Sequence, residues 1–201
     1  GIDTIVFDKT GTLTQDRMGV QAIACRAGVS EAQALAWASA LAAGSLHPAA
    51  RAVTAAARAA ASADHPTPQA QGLAEHPGQG VEGVVEGRRL RLGSAAFCQA
   101  PPDAGEHPQV HLADEAGWIA RFDLDETLRP DALQTLADLR ALGLRVRLLS
   151  GDRPAAVARL AARAGIEDWQ GACSPQDKLA QVRALQQQGH RVAMVGDGMN
   201  D

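Results

Sequence analysis

Tyrosine is absent from the 201-residue chain, and aromatic residues make up only 3% of it. Cysteine is nearly as scarce: Cys25, Cys98 and Cys173 are scattered and form no CxxC pair. Disulfide scaffolds and thiolate metal sites need paired cysteines, so we expect neither, and we expect a reducing cytoplasm. Cys98 and Cys173 are predicted to be small packing residues.

The chain also lacks an excess of positive charge and any long apolar run. Its formal net charge of -4 argues against a nucleic-acid surface, which is normally basic. No apolar segment approaches the ~20 residues that cross a bilayer, and no signal peptide opens the sequence. We therefore expect a soluble chain that binds no nucleic acid. Because it stops at "VAMVGDGMND", directly after a pattern of strand and acidic loop, we expect it to be an excised part of a longer protein.

Helical and strand patterns follow one another in the first two thirds of the chain. Ser30 is a predicted N-cap for "EAQALAWASALAAG", with Gly44 as the stop, and Pro48 opens a second helix. Short alternating runs follow, with a hairpin turn near Glu86-Gly87 and another at residues 114–117. Residues from about 20 to 120 are thus predicted to form an α+β insert of two helices and a small antiparallel sheet.

After residue 130 the pattern alternates strictly between helix and strand. "DALQTLADLRALG", "RPAAVARLAARAG" and "SPQDKLAQVRALQQQG" are helical, and "LRVRLLSGD" and "RVAMVGD" are strands. Strands separated by helices of this length form parallel sheets with right-handed crossovers. We expect the buried strand "IVF" at residues 5–7 to join this sheet. The predicted fold class is α/β, a doubly wound parallel sheet with a second domain inserted after its first strand.

Polar groups follow three of these strands, and parallel strand ends face one edge of a sheet. The groups are Asp8, then Ser150, Gly151 and Asp152, then Asp197, Asn200 and Asp201, with Lys178 in the first turn of a nearby helix. Clustered carboxylates repel one another, so they stabilise a fold poorly, but they hold Mg²⁺ and a phosphoryl group well.

Three motifs in this set resemble those of the P-type ATPases. "DKTGTLT" is identical to their phosphorylation motif, "GDGMND" resembles their hinge motif GDGxND, and "SGD" is similar to their TGD. The resemblance implies a haloacid-dehalogenase-like phosphorylation domain at residues 1–19 and 121–201, and a nucleotide-binding domain at residues 20–120. It also implies ATP and Mg²⁺ as cofactors and a cytoplasmic domain of an integral cell-membrane protein, next to membrane and actuator domains of the same pump.

The resemblance also assigns roles to individual residues. Asp8 would attack the γ-phosphate of ATP and become an aspartyl phosphate. Asp8, Asp197 and the carbonyl of Thr10 would bind Mg²⁺, and Lys178 and Ser150 would hold phosphoryl oxygens. The other motif residues of the predicted catalytic set are Lys9, Gly151, Asp152, Asn200 and Asp201.

The insert resembles that of the heavy-metal pumps, and copper is the expected ion. "SLHP" is similar to their SxHP motif, which places His47 and Pro48 beside adenine. "PGQGVEG", with Gly78 and Gly80, looks like their GxG loop, and "RLGS", with Gly93 and Ser94, resembles their GN pair. The glutamate that the family carries five positions before the histidine is replaced by Ala42, which leaves the adenine contact open. A part without an actuator domain is expected to hydrolyse ATP slowly and to transport nothing.

The sequence leaves two alternatives open. "FDLDET" mimics the nucleophile motif of a soluble magnesium-dependent phosphatase, with Asp123 as nucleophile and Asp125 as general acid, although Glu126 replaces the expected glycine. The chain could also be a nucleotide-binding module without chemistry. The other histidines lack ligand spacing and are predicted to be solvated; they are His65, His76, His107 and His111.

Overall fold

Two sheets organise the chain, whose computed structural model describes residues 1–62, 66–102, 105 and 107–196. Within these described residues the strands are β1 (Thr4–Asp8), β2 (Thr14–Cys25), β3 (Ala70–His76), β4 (Gly80–Val85), β5 (Arg88–Gly93), β6 (Gln109–Asp114), β7 (Gly117–Leu128), β8 (Arg145–Leu149), β9 (Trp169–Gln170) and β10 (Val192–Val195). The α-helices of the same residues are α1 (Glu31–Ala42), α2 (Pro48–Ala60), α3 (Ala132–Ala141), α4 (Pro154–Ala164) and α5 (Pro175–Gln187).

The chain divides into two compact units. The parallel-sheet unit comprises Gly1–Asp16 and Glu126–Asp201, and the antiparallel-sheet unit comprises Arg17–Asp125. The chain passes between them inside β2 and inside β7. The assignment of a phosphorylation domain to residues 1–19 and 121–201, and of a nucleotide-binding domain to 20–120, stays a prediction.

The parallel-sheet unit is built on the strand order β10-β1-β8-β9. β1 pairs in parallel with both β8 and β10, which confirms the prediction that it joins the parallel sheet. All five residues of β1 are buried, because helices cover both faces of the sheet. Phe7 packs with residues of α3 and α4 on one face, and Val6 packs with Leu185 of α5 on the other.

The helices of this unit begin and end where the sequence signals place them. Ser174 caps α5 through a reciprocal pair of hydrogen bonds with Asp177, and Pro175 occupies the first turn. Gly165 ends α4 in the left-handed conformation, with a φ of 68°. The first turn of α5 lies next to the sheet edge that carries Asp8, since it contains Lys178, which contacts Asp8.

The antiparallel-sheet unit has the strand order β2-β7-β6-β5-β4-β3, with α1 and α2 packed on one face. Ser30 caps α1 as predicted, since its Oγ accepts a hydrogen bond from the Gln33 N–H. Glu86 and Gly87 form the predicted hairpin turn, both with positive φ, as a type I′ turn requires. The sequence did not predict β2, because "TQDRMGVQAIAC" has no clean alternation of buried and exposed residues.

Among the described residues, no helix combines the length and the apolar character needed to cross a bilayer.

Candidate functional site

Asp8 is the last residue of β1 and lies at the C-terminal edge of the parallel sheet. Its side chain is almost fully buried, and a cation compensates its charge, since Lys178 Nζ lies 3.2 Å from its Oδ2. Lys178 is equally buried, in the first turn of α5. Burying a charge costs free energy unless an opposite charge is close, so Asp8 and Lys178 each compensate the charge of the other at this edge.

The backbone after Asp8 turns sharply over Lys9–Leu13. The Lys9 N–H donates to Asp8 Oδ1 at 2.8 Å, which orients the carboxylate. Gly11 takes a φ of 75°, a conformation that favours glycine, and Thr10 keeps an extended backbone. The turn therefore leaves Thr10 exposed beside a buried carboxylate.

The loop after β8 brings a second set of predicted residues to this edge. Asp8 pairs in register with Leu149, the last residue of β8. The loop of Ser150, Gly151 and Asp152 therefore begins at the level of Asp8. Ser150 is 2% exposed, and its Oγ accepts a hydrogen bond from the Asp152 N–H at 3.1 Å. The structure thus places Asp8, Ser150 and Lys178 at one sheet edge.

Lys9 lies in a charged cluster with the motif residue Asp152 and with Glu126, which belongs to none of the motifs. Its ammonium lies 2.8 Å from Glu126 Oε1 and 2.6 Å from Asp152 Oδ2. Burial opposes the charged form of Lys9, but the hydrogen bonds to Asp152 and Glu126 outweigh it and raise the pKa. The same hydrogen bond from Lys9 lowers the pKa of Asp152. Glu126 is therefore a site residue that sequence reasoning missed.

Oxygen donors of the kind that Mg²⁺ prefers are present at the edge. The Asp8 carboxylate and the Thr10 carbonyl are hard ligands, which fit Mg²⁺ in chemical type. Asp197, Asn200 and Asp201 lie outside the described residues. Within the described ranges, no group of three histidine, cysteine, aspartate or glutamate side chains could hold a metal ion.

His47, in the antiparallel-sheet unit, is the N-cap of α2. Its Nδ1 accepts a hydrogen bond from the Ala49 N–H at 3.2 Å, and Pro48 occupies the first turn. The ring is exposed, and Nε2 is the nitrogen that this cap leaves for a ligand. Ala42 is buried at the end of α1.

The predicted glycines of this unit fall into two kinds. Gly78 lies in the β3–β4 turn with a φ of 75° and has open space where a Cβ would stand. Gly80 and Gly93 face each other across β4 and β5, and a Cβ on Gly80 would fall on the Leu92 carbonyl oxygen. Ser94 is exposed; its N–H donates to the Gln79 carbonyl, and its Oγ accepts from the Phe97 N–H. The close approach of β4 and β5 therefore requires glycine at Gly80 and Gly93.

The position of Asp123 does not support the phosphatase alternative. Asp123 lies within β7 of the antiparallel sheet, opposite Gln109 of β6, and pairs with the Arg121 guanidinium at 2.9 Å. It does not stand at the end of a parallel strand, where Asp8 stands.

The prediction that the remaining histidines are solvated is wrong for His111, which is 3% exposed. Its Nδ1 accepts a hydrogen bond from the Trp118 Nε1–H at 3.3 Å. His76 is half-buried and hydrogen-bonded to Glu82, His107 is half-buried, and His65 lies outside the described residues. His111 is buried because the turn after Ser94 covers this face of the sheet, with Cys98 Sγ donating to the His111 carbonyl.

Cys98 is the thiol that we expect to react most slowly. Burial raises its pKa to about 12, so at pH 8 only about one thiol in ten thousand is a thiolate. Cys25 is half-buried. Iodoacetamide at pH 8 is therefore expected to modify Cys25 well before Cys98 in the folded chain, as peptide mass spectrometry would reveal, and both at similar rates in urea. Equal rates in the folded chain would contradict the buried position of Cys98.

Comparison with known proteins identifies relatives over the whole chain. Residues 2–201 match the family described as haloacid dehalogenase-like hydrolase. The "Probable copper-transporting ATPase SynA" of Synechococcus sp. is 40% identical over 207 residues, which covers 100% of this chain and 26% of that protein. The chain therefore spans about a quarter of the length of the curated relatives it matches.

Solved structures agree with this relationship. A crystal structure of a zinc-transporting PIB-type ATPase matches with a TM-score of 0.83 and 33% identity, over 100% of this chain and 34% of that chain. The catalytic domain of the CPx-ATPase CopB-B matches with a TM-score of 0.55 and 30% identity, over 100% of this chain and 73% of that chain. The predicted family and fold class are thus confirmed: the chain belongs to the haloacid dehalogenase-like hydrolases and, among them, is similar to the metal-transporting P-type ATPases.

Proposed function

We propose that this chain is the ATP-binding and phosphorylation unit of a heavy-metal-transporting P-type ATPase, and that Asp8 forms an aspartyl phosphate from ATP. The observation that carries the proposal is the buried pair of Asp8 and Lys178 at the edge of the parallel sheet, 3.2 Å apart. A carboxylate held this way is a nucleophile beside a fixed positive charge. That arrangement suits the transfer of a negatively charged phosphoryl group.

The transfer step follows from the positions of these side chains. An Asp8 carboxylate oxygen attacks the γ-phosphorus, the bond from that phosphorus to its bridging oxygen breaks, and ADP leaves with the electron pair. In this proposal the Lys178 ammonium would balance the charge on the phosphoryl oxygens, and the Ser150 hydroxyl would donate a hydrogen bond to one of them. Lys178 then has a partner before and after the transfer: the Asp8 carboxylate first, the phosphoryl oxygens later.

Mg²⁺ supplies further positive charge at the phosphoryl oxygens when it is bound. Asp8 and the Thr10 carbonyl would hold it, together with Asp197 of the hinge motif. Asn200 and Asp201 would complete the loop that carries Asp197. The two described residues assigned to the ion, Asp8 and Thr10, would both bind it through oxygen, which suits a hard cation.

ATP binding is proposed for the antiparallel-sheet unit. His47 Nε2 and the α2 N-terminus would contact adenine, because the Nδ1 cap fixes the plane of the ring. The open turn at Gly78 would let backbone N–H groups approach the phosphates. Gly80, Gly93 and Ser94 would shape this loop from the neighbouring strands. Ala42 leaves no carboxylate at the end of α1, so we expect weaker adenine selectivity than in relatives that carry one.

The longer protein would supply the remaining parts of the pump. We propose that its membrane and actuator domains are the partners of this chain, that the chain lies on the cytoplasmic side of the cell membrane, and that copper is the transported ion. The copper assignment is supported by the name of the Synechococcus relative.

The proposal is tested by labelling the chain with γ-³²P-ATP and Mg²⁺, followed by an acid quench. We expect a label that survives acid, is released by neutral hydroxylamine as acyl phosphates are, and maps to the peptide containing Asp8. Chelation of Mg²⁺ with EDTA is expected to prevent labelling. Absence of any acid-stable label, or a label on another residue, would reject the proposed function.

A further inference from the structure

We propose that Glu126 is a positioning residue for phosphoryl transfer to Asp8, and that it acts through the side chain of Lys9. This inference deepens the function proposed above and rests on it. Glu126 belongs to none of the three sequence motifs, and it is 117 residues from Lys9 in the sequence. Its connection to the site exists only in the folded chain.

Two carboxylates hold the side chain of Lys9. Its ammonium is buried, and it donates to Glu126 at 2.8 Å and to Asp152 at 2.6 Å. Two carboxylates thus face this one ammonium, while Lys178 faces the Asp8 carboxylate. The charge of Lys9 is balanced by Glu126 and Asp152, so Lys178 is the lysine placed to meet a phosphoryl group.

The backbone of Lys9 contacts the Asp8 carboxylate directly. The Lys9 N–H donates to Asp8 Oδ1 at 2.8 Å, and its carbonyl accepts from the Thr14 hydroxyl at 3.3 Å. The side chain and the backbone of the same residue are therefore both anchored. Moving the ammonium would move the peptide group that orients the nucleophile, and displacements of about 1 Å cost roughly a hundredfold in rate.

The segment that carries Glu126 contacts the same turn at two further points. The Arg129 N–H donates to the Leu13 carbonyl at 2.8 Å, and the Arg129 guanidinium donates to the Gly11 carbonyl at 3.0 Å. The end of β7 and the residues after it thus hold the turn from Lys9 to Leu13 along its length. Glu126 is the member of this segment that reaches the residue next to Asp8.

The experiment compares Glu126→Gln, Glu126→Asp and the control Glu167→Gln by the rate of phosphate labelling from γ-³²P-ATP. Glu167 is exposed in the same unit, so its variant removes the same charge without touching Lys9. We expect Glu126→Gln to label at least about tenfold more slowly at saturating ATP. The ATP concentration for half-maximal labelling should be unchanged, Glu126→Asp should keep most of the rate, and the control should equal the original chain.

A double variant tests whether the effect passes through Lys9. In a Lys9→Met background, Glu126→Gln is expected to change the labelling rate less than about twofold, because residues that act through one contact are not additive. Thermal unfolding of every variant distinguishes a smaller folded fraction from a slower labelling rate. If Lys9→Met alone leaves no measurable label, the labelling rates of Glu126→Gln and Glu126→Asp decide whether the carboxylate at this position is required.

The outcomes separate this inference from the proposed function. If the original chain labels on Asp8 but Glu126→Gln labels as fast or faster, Glu126 does not position the site and the inference is wrong, while the proposed function stands. If Glu126→Gln and the control slow labelling equally, the inference is also wrong. If the original chain acquires no acyl phosphate, the proposed function fails and the inference fails with it.

Discussion

Asp8→Asn is expected to abolish the acid-stable phosphate label completely. An amide oxygen is a far weaker nucleophile than a carboxylate, and Asp8 is the carboxylate that faces Lys178 at this sheet edge. Labelling with γ-³²P-ATP under conditions that saturate the original chain measures the effect. Asp16→Asn is the matched control: Asp16 is exposed in the same unit and has a φ of 54°, which asparagine tolerates. Full labelling of Asp8→Asn would show that Asp8 is not the nucleophile.

The same substitution is expected to lower the stability of the parallel-sheet unit. It removes the charge that compensates the buried Lys178 ammonium, and breaking a buried ion pair from one side costs about 3–5 kcal/mol. Because asparagine keeps an acceptor oxygen, we expect a loss of about 1–3 kcal/mol here. Hydrogen exchange of the β1 amides under native conditions reports on this unit by itself.

A second substitution shows whether the loss comes from the ion pair. Lys178→Met alone leaves the Asp8 carboxylate buried without its cation, so it too is expected to destabilise the unit. The double variant, Asp8→Asn with Lys178→Met, contains no buried charge at this place, so its loss should be smaller than the sum of the single losses. Strict additivity would mean that the two groups do not interact in the folded chain.

Much of this site could be predicted because it follows from local patterns. The buried run "IVF" gave β1, the alternation after residue 130 gave β8 and β10, and parallel strands must end at one edge. These patterns put Asp8 and Ser150 at one edge of the sheet, and the structure shows that β1 and β8 are neighbours there. The capping residues Ser174 and Pro175 fixed the start of α5, which places Lys178 in the first turn.

The contacts that escaped prediction depend on tertiary packing. The segment of residues 122–127 was predicted to return from the insert, and β7 does return to the parallel-sheet unit at Glu126. No local pattern encodes the contact that Glu126 then makes with Lys9. The alternation in "QVHLAD" puts His111 on one face of β6, but whether that face meets water depends on the turn containing Phe97 and Cys98, which covers it.

Gly78 and Gly80 of the segment at residues 77–83 are required for different reasons, and Gly80→Ala is expected to destabilise the antiparallel-sheet unit strongly. A Cβ on Gly80 would lie 2.8 Å from the Gly93 Cα and 2.9 Å from the Phe97 ring, and it would also strike the Leu92 carbonyl oxygen. Backbone cannot yield as a flexible side chain can, so β4 and β5 must separate. We expect a loss of more than about 3 kcal/mol, measured by urea unfolding.

Gly78→Ala is the matched control, because it adds the same methyl group two residues away. Its Cβ meets nothing within 4 Å, so only the left-handed backbone opposes alanine, at a cost of about 1–2 kcal/mol. If the turn binds phosphates, Gly78→Ala should weaken ATP binding, measured by calorimetry, while the unit remains folded. Gly80→Ala should weaken binding only as far as it unfolds the sheet. A Gly80→Ala chain as stable as the original would contradict the close approach of β4 and β5, and the glycine would then be explained by its ligand alone.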